Sequence, residues 1–195
     1  MSIKHPIISV TGSSGAGTST VKHTFQQIFR RESVKAVTLE GDAFHRYNRK
    51  EMKKELEKRH AAGDATFSHF SFDANLLPEL EDCFRNYSEQ GTCRYRHYIH
   101  NSNEENLYGA KPGNFTNWKK FKEPSDLLFY EGLHGAVVNE EINLARYADL
   151  KIGVVPVINL EWIQKIHRDT DSRGYSTEAV TDTILRRMHA YVHCI

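Results

Sequence analysis

Cysteine is scarce in this sequence, and several other features are missing altogether. The three cysteines, Cys83, Cys93 and Cys194, are odd in number and widely spaced. They do not form the pattern of a disulfide framework, and a reducing cytoplasm is the simplest setting for them. No apolar run is long enough to span a membrane or to serve as a signal peptide. The formal net charge is only +1, which removes the electrostatic reason to expect nucleic acid or an anionic membrane as the main partner.

The bulk composition is that of one folded domain. The chain has 195 residues, of which 39% are hydrophobic and 26% charged. Apolar segments at 6–11, 34–40, 127–131 and 150–157 alternate with helical patterns. Near-continuous apolar strands that alternate with helices predict an α/β fold with a parallel, doubly wound sheet. Ligands of such sheets bind at the carboxyl ends of the strands, so the polar residues that follow these strands are candidates for a site.

A glycine-rich loop follows the first predicted strand and lacks one residue that such loops usually carry. Residues 12–20 read GSSGAGTST, which has the spacing G-x-x-x-x-G-K-[ST] with Thr18 in place of the lysine. Most of a phosphate cradle is built from backbone N–H groups, so the loop is still predicted to bind phosphate. Ser19 stands where a hydroxyl binds Mg²⁺. The predicted nucleotide-binding residues are Gly12, Ser13, Ser14, Gly15, Ala16, Gly17, Thr18, Ser19 and Thr20.

Two further strands are followed or ended by a carboxylate. Asp42 comes just after the second strand and can accept a proton from a hydroxyl group or orient it for attack. His45 and Arg49 follow and can hold an anionic acceptor such as a sugar phosphate, although a helix cap with solvated basic neighbours is the alternative. Glu131 ends the apolar segment LLFYE, as a Walker-B carboxylate does beside magnesium.

The missing cation has a candidate source far along the chain. Lys165, Arg168 and Asp169 have the spacing that places them on one face of a helix, and Arg173 follows beside a glycine. The plain explanation is a surface ion pair of the i,i+4 type. The alternative is a lid over residues 158–178 whose cations close on the nucleotide and replace the absent lysine.

Histidine is abundant, with 11 residues, and this invites a metal-site interpretation. The best pairs are His97 with His100 and His189 with His193. Neither pair has the flanking ligands of a zinc site, so metal binding through them is not expected. His100 ends a predicted strand and is instead a candidate for contact with the substrate.

Five segments together make a specific resemblance. They read GSSGAGTSTVKHTF, EGDAFHR, FYEGLHGAVVN, VVPVINLEWIQKIHRDT and RGYSTEAVTD, and they resemble the bacterial phosphoribulokinases from residue 6 to the end of the chain. The resemblance implies a three-layer parallel-sheet P-loop NTPase of the nucleoside- and nucleotide-kinase type. It also implies phosphorylation of D-ribulose 5-phosphate by ATP to the 1,5-bisphosphate, which feeds Calvin-cycle carbon fixation.

The resemblance also implies roles for single residues, with ATP and Mg²⁺ as cofactors. Bacterial members share threonine at the position of Thr18. They continue past residue 195, so residues 1–195 are expected to form one kinase domain without its C-terminal portion, and the full-length form is expected to be a homo-oligomer. The implied catalytic residues are Asp42, Lys165, Arg168 and Asp169, the implied sugar-phosphate contacts are His45, Arg49 and Arg173, and the implied metal ligands are Glu131 and Asp169. His100, from its place at the end of a strand, joins the predicted substrate contacts, and Ser19, from its place in the loop, joins the predicted metal ligands.

Two other functions stay open at this point. One is a different small-molecule kinase of the same fold, for example a uridine-kinase-like enzyme. The basic residues that follow Asp42 favour an acceptor that already carries phosphate over a nucleoside. The other is a nucleotide-binding module without turnover.

Overall fold

The fold is an α/β arrangement around a parallel sheet. The computed structural model describes residues 5–64, 66–121 and 123–186, apart from the side chains of residues 172 and 173. The strands are β1 (Ile7–Thr11), β2 (Ala36–Glu40), β3 (Arg94–Tyr95), β4 (Lys119–Lys120), β5 (Leu127–Gly132) and β6 (Leu150–Gly153). The helices are α1 (Thr18–Arg31), α2 (Arg49–Ala61), α3 (Leu77–Gln90), α4 (Ser102–Tyr108), α5 (Ile158–Arg173) and α6 (Thr177–Arg186).

The main sheet brings the ends of its strands to one edge. Its order is β2-β5-β1-β6, and all three pairings are parallel. Glu131 lies opposite Val10 on one side and Glu40 on the other. The residues that follow β1, β2 and β5 therefore meet at the same carboxyl edge, where ligands of such sheets bind. The predicted α/β class with a parallel sheet is confirmed.

Alternating side chains of the central strands build a core on each face of the sheet. On one face Phe129 contacts Phe25 and Phe29 of α1 at ring-centroid distances of 5.2 and 5.7 Å. On the other face Tyr130 meets Phe84 of α3 at 5.4 Å. Because helices cover both faces of the central strands β1 and β5, most of their residues are buried, and these strands form continuous apolar runs in the sequence. This gives the predicted three layers.

Truncation of a side chain in this core is expected to be costly. Leu128 on β5 has no exposed surface. We expect Leu128→Ala to lower the free energy of unfolding by about 2–5 kcal/mol, because the change removes apolar contacts and leaves a cavity. Leu107→Ala is the matched control, since Leu107 is 72% exposed and its truncation should cost about 0.5 kcal/mol or less. Urea unfolding of both variants measures the difference, and equal losses would contradict this description of the core.

Four predicted elements differ from the structure. The strand predicted over 150–157 ends at Gly153, and Val155 and Val157 beyond it are exposed. Residues 93–100 alternate enough to predict one strand, but the structure divides the segment. Arg94 and Tyr95 join β4 in a small antiparallel sheet, and Tyr98 forms an isolated bridge with Phe115. Residues 101–124 are polar and marked by glycine and proline, a pattern that predicts a long loop, but they contain α4 and β4. The sequence of residues 140–147 predicts a short helix, and the structure has a 3-10 turn there, Leu144–Arg146.

The cysteines also depart from expectation. Cys83 on α3 and Cys93 before β3 form a disulfide, with their Cα atoms 4.9 Å apart. The two cysteines are ten positions apart, and they meet because the chain turns back at the end of α3 toward β3. Cys194 lies outside the described residues. Among the helices of the described ranges, none combines the length and apolar character that a membrane crossing requires.

Candidate active site

The glycine-rich loop takes the backbone path of a phosphate cradle. It leaves β1 at Gly12, whose N–H donates to the carbonyl of Gly132 at the end of β5. Gly15 and Gly17 adopt φ values of 111° and 99°, a region that side chains disfavour. α1 then begins at Thr18, with Gly17 as its N-cap. The loop thus runs directly into the N-terminus of α1, where the N–H groups of the first helical turn favour an anion.

Thr18 has a structural partner that the sequence did not reveal. Its hydroxyl donates to Glu131 Oε1 over 2.5 Å, which ties the start of α1 to the end of β5. Ser19, the next residue, is exposed. A serine hydroxyl and a carboxylate are oxygen ligands of the kind that Mg²⁺ prefers. Ser19 directly follows Thr18, which contacts Glu131, so the chemistry of these donors fits a magnesium ion.

Lys22 is a cation at this edge that the sequence reasoning missed. Its Nζ lies 2.8 Å from Glu40 Oε1 and 3.6 Å from Glu131 Oε2. Burial acts to lower the pKa of Lys22, but the charges of Glu40 and Glu131 raise it above its ordinary value. Lys22 stands four residues after Thr18 on the same helix, and that spacing is the signal that could have found it. Lys22 thus places a cation beside Glu131, the carboxylate that contacts Thr18 at the position of the absent lysine.

Asp42 lies beside two histidines. It sits in the 3-10 turn Gly41–Phe44 that follows β2. Its carboxylate is 3.3 Å from His45 Nε2 and 3.4 Å from His100 Nε2, while 46% of its side-chain surface stays exposed. Desolvation acts to raise the pKa of Asp42, but the nearby imidazoles, His45 foremost, hold it well below its usual range. Asp42 is therefore ionised at neutral pH and accessible to an acceptor hydroxyl.

The pair of Asp42 and His45 gives a pH-dependent signal. Burial acts to lower the pKa of His45, but the charge and hydrogen bond of Asp42 raise it above its ordinary value. The stability that the raised pKa of His45 contributes is thus fully present below the ordinary histidine pKa of about 6.5 and is lost as pH rises through the raised value. We expect Asp42→Asn to lower the pKa of His45, measured by NMR titration of its imidazole. Asp82→Asn on α3 is the control, and an unchanged His45 pKa in Asp42→Asn would contradict the pairing.

Arg49 and His100 lie beside the same turn. Arg49 is the first residue of α2, and its Nη2 donates to the carbonyl of His100 over 3.2 Å. The Arg49 main-chain N–H donates to Gly113 over 2.8 Å. An arginine, two histidines and the Asp42 carboxylate thus line one stretch of the carboxyl edge, which suits an acceptor with a hydroxyl group and a phosphate.

α5 lies against the glycine loop. Arg168 Nη2 donates to Ser14 Oγ over 3.1 Å, and its Nε donates to Asp169 Oδ1 over 2.9 Å. Lys165 Nζ donates to the other oxygen, Asp169 Oδ2, over 2.8 Å. A Cβ atom on Gly15 would come within 3.2 Å of the Lys165 Cβ, which shows how closely the helix approaches the loop. Two cations from the far end of the chain are therefore at the phosphate cradle.

Family comparison decides what kind of site this is. Residues 7–195 match the family model described as Phosphoribulokinase / Uridine kinase family. The chain belongs to this family. It is 73% identical to phosphoribulokinase 1 of Cereibacter sphaeroides over 100% of its length and 67% of that relative, and 64% identical to phosphoribulokinase of Nitrobacter vulgaris over 98% and 66%. It thus spans about two thirds of the length of these relatives.

Solved structures agree with the family match. A phosphoribulokinase from Rhodobacter spheroides superposes with a TM-score of 0.82 at 71% identity, over 98% of this chain and 66% of that one. D-glycerate 3-kinase from Cryptococcus neoformans, at 14% identity and a TM-score of 0.59, shares the fold alone. The predicted P-loop kinase fold and the phosphotransferase class are confirmed. The high identity to phosphoribulokinases supports the predicted reaction on ribulose 5-phosphate.

The other residues predicted for the site of this phosphoribulokinase-family chain either have contacts elsewhere or lie outside the residues that the structure describes. His97 stacks on Tyr108 with a centroid distance of 4.0 Å. Within the described ranges, no group of three or more histidine, cysteine, aspartate or glutamate side chains could hold a metal ion. Arg173 is the last residue of α5, and its side chain lies outside the described part of the chain, as do His189 and His193.

Proposed function

We propose that this chain transfers the γ-phosphoryl group of ATP to D-ribulose 5-phosphate, which gives ADP and ribulose 1,5-bisphosphate for carbon fixation. The observation that carries the proposal is the meeting of Asp42, the glycine loop and the α5 cations at one edge of the sheet. Sequence identity of 73% to a phosphoribulokinase supports the choice of acceptor. ATP and a sugar phosphate are thus the ligands of this site.

Each part of the edge has a distinct task in this reaction. The N–H groups of residues 12–20 hold the phosphates of ATP, and His45, Arg49, His100 and Arg173 hold the sugar phosphate. Asp42 takes the proton of the C1 hydroxyl as that oxygen bonds to the γ-phosphorus and the bond to ADP breaks. Lys165 and Arg168 stabilise the negative charge of the transferring group.

Magnesium completes the set of charges. Ser19, Glu131 and Asp169 are the residues that would hold it. When bound, the ion neutralises charge on the β- and γ-phosphate oxygens. In the structure both carboxylates are paired with side chains of this chain, Glu131 with Thr18 and Asp169 with Lys165.

We propose further that residues 158–178 act as a lid. Arg168 contacts the loop through Ser14, and movement of α5 would open or close the phosphate cradle. Lids of this kind exclude water and complete the catalytic set when substrate binds. A cytoplasmic location, a homo-oligomeric full-length form, and the lack of nucleic-acid and membrane partners remain predictions.

A coupled assay of ATP consumption tests the proposal. The chain is incubated with MgATP and ribulose 5-phosphate, with uridine, or with neither. We expect consumption to accelerate with ribulose 5-phosphate only. Acceleration by uridine alone would select the uridine-kinase-like alternative. ATP binding without acceleration by either acceptor would identify a nucleotide-binding module instead.

A further inference from the structure

Arg96, which is not part of the turn Gly41–Phe44, binds the main chain of this turn beside Asp42. Its Nε donates to the carbonyl of Ala43 over 2.7 Å, and its Nη2 donates to the carbonyl of His45 over 2.6 Å. These carbonyls belong to the residue directly after Asp42 and to the histidine that pairs with it. One guanidinium thus restrains the main chain through the whole stretch that presents the carboxylate.

The guanidinium is itself fixed by aromatic rings. It lies 3.6 Å from the centroid of Phe115 and 4.6 Å from that of Trp118. Trp118 in turn packs edge-on against Phe44, the last residue of the turn. Burial lowers the pKa of Arg96 to about 10, against the attraction of Glu79 and Glu51, so it remains charged at neutral pH. The guanidinium is planar, and its N–H donors point in fixed directions. Packed against the aromatic rings, it is well suited to donate hydrogen bonds to two carbonyl oxygens at once.

We propose that Arg96 is a positioning residue for phosphoryl transfer, which clamps the turn Gly41–Phe44 so that Asp42 stays within reach of the acceptor hydroxyl. The proposal rests on the proposed function, because it assumes that Asp42 takes the proton. Arg96 touches neither the loop of residues 12–20 nor α5 through these bonds. Arg96 therefore affects the reaction through Asp42 and His45. The binding of ATP by the loop of residues 12–20 does not depend on these hydrogen bonds.

Loss of the clamp has a defined kinetic signature. A shift of a catalytic group by about 1 Å can cost about 100-fold in rate. We expect Arg96→Ala to lower kcat by about 10-fold to 100-fold with ribulose 5-phosphate, while the KM for ATP changes by less than about 2-fold. Arg96→Lys keeps the charge but offers no fork for two carbonyls, so it should stay impaired by about 10-fold or more.

The control is Arg94→Ala. Arg94 is exposed on β3, two residues earlier, and its guanidinium lies 5.7 Å from the centroid of Trp118. We expect its kcat to stay within about 2-fold of wild type, as for an exposed residue away from the site. Two readouts report position rather than folding. Added guanidinium should restore part of the rate of Arg96→Ala but not of Arg96→Lys, and hydrogen exchange of the amides of residues 41–46 should speed up in both.

The outcomes separate this proposal from the proposed function. A wild-type chain that shows no acceleration by ribulose 5-phosphate would end the proposed function, and the hydrogen-exchange arm would still test the clamp. An active wild type whose Arg96→Ala and Arg96→Lys variants retain normal kcat would overturn the positioning role. So would a loss of rate that Arg94→Ala shares, or exchange at residues 41–46 that stays at the wild-type rate.

Discussion

Replacement of Asp42 by asparagine is expected to lower kcat with ribulose 5-phosphate by about 10²–10⁴-fold, the range for loss of a general base. Asparagine has nearly the shape of aspartate but cannot take the hydroxyl proton. The carboxylate is the group at this edge that two imidazoles keep ionised while nearly half of its surface stays accessible. The loss should therefore fall on the chemical step.

The binding of ATP should survive this change. The phosphate cradle is built by β1 and α1, and its hydrogen bonds run from Gly12 to Gly132 and from Thr18 to Glu131. None of these bonds includes Asp42. We expect the dissociation constant for ATP, measured by calorimetry, to stay within about 3-fold of wild type, since only interactions present in the ground state affect it.

Two controls make the result decisive. Asp82→Asn removes an exposed carboxylate from α3 that forms an ion pair with Arg85, and should leave kcat unchanged. The depressed pKa of Asp42 adds a test with a definite sign, because a carboxyl of this kind stays charged until pH falls below the ordinary aspartate range. The wild-type rate should therefore not fall near pH 4 through protonation of Asp42. A kcat of Asp42→Asn within 10-fold of wild type would remove Asp42 from the mechanism.

The residues at the strand ends could be predicted from the sequence because one geometric rule governs them. Parallel strands end at a common edge, so polar residues after β1, β2 and β5 had to meet. The loop of residues 12–20, Asp42 and Glu131 follow from this rule. The helical spacing of Lys165, Arg168 and Asp169 predicted their shared face, and the structure joins them by hydrogen bonds.

The residues that were missed depend on contacts between distant segments. Arg96 is 53 residues from Ala43, and no local pattern marks an arginine that binds carbonyls. From the sequence alone, Lys22 is interpreted as a solvated residue of a helix. In the structure β2 and β5 place Glu40 and Glu131 beside it. Such partners follow from the register of the sheet, which hydrophobic patterns alone do not determine.

The strand predicted over 150–157 was too long for a similar reason. The apolar run through Val154, Val155 and Val157 predicts a strand, but a strand needs a partner as well as a pattern. β1 pairs with β6 only as far as Thr11 opposite Gly153, because β1 then turns into the glycine loop. Val155 and Val157 continue past the end of this ladder and are 84% and 73% exposed. The chain is thereby free to enter α5 above the loop.

Removal of the α5 cations should be nearly as damaging as removal of Asp42. We expect Arg168→Ala and Lys165→Met each to lower kcat by about 10²–10³-fold, the effect of losing one preorganised group that stabilises charge in the transition state. Thr18 cannot supply that charge, and its hydroxyl is already engaged with Glu131. The contact of Arg168 with Ser14 places the guanidinium at the cradle, where the γ-phosphate is expected.

Lys165→Met and Arg168→Ala should differ in their effect on stability, and this difference determines how a loss of kcat is interpreted in each variant. Lys165 is 4% exposed and pairs with the buried Asp169, so Lys165→Met leaves a carboxylate with less compensation and should also lower the melting temperature. Arg168 keeps 35% of its side-chain surface exposed, so its removal should cost less stability. A rate loss in Arg168→Ala without a change in melting temperature therefore reports on chemistry.

Matched variants complete the test of the α5 cations. Arg85→Ala removes a half-buried cation from α3, and Lys120→Met removes an exposed one from β4. Both positions are far along the chain from α5, and both variants should leave kcat within about 2-fold of wild type. If Lys165 and Arg168 act on the same transferring phosphoryl group, the double variant should lose less than the product of the two single losses. Near-normal rates in both single variants would show that the loop works without a borrowed cation, and Lys22 would then be the residue to replace next.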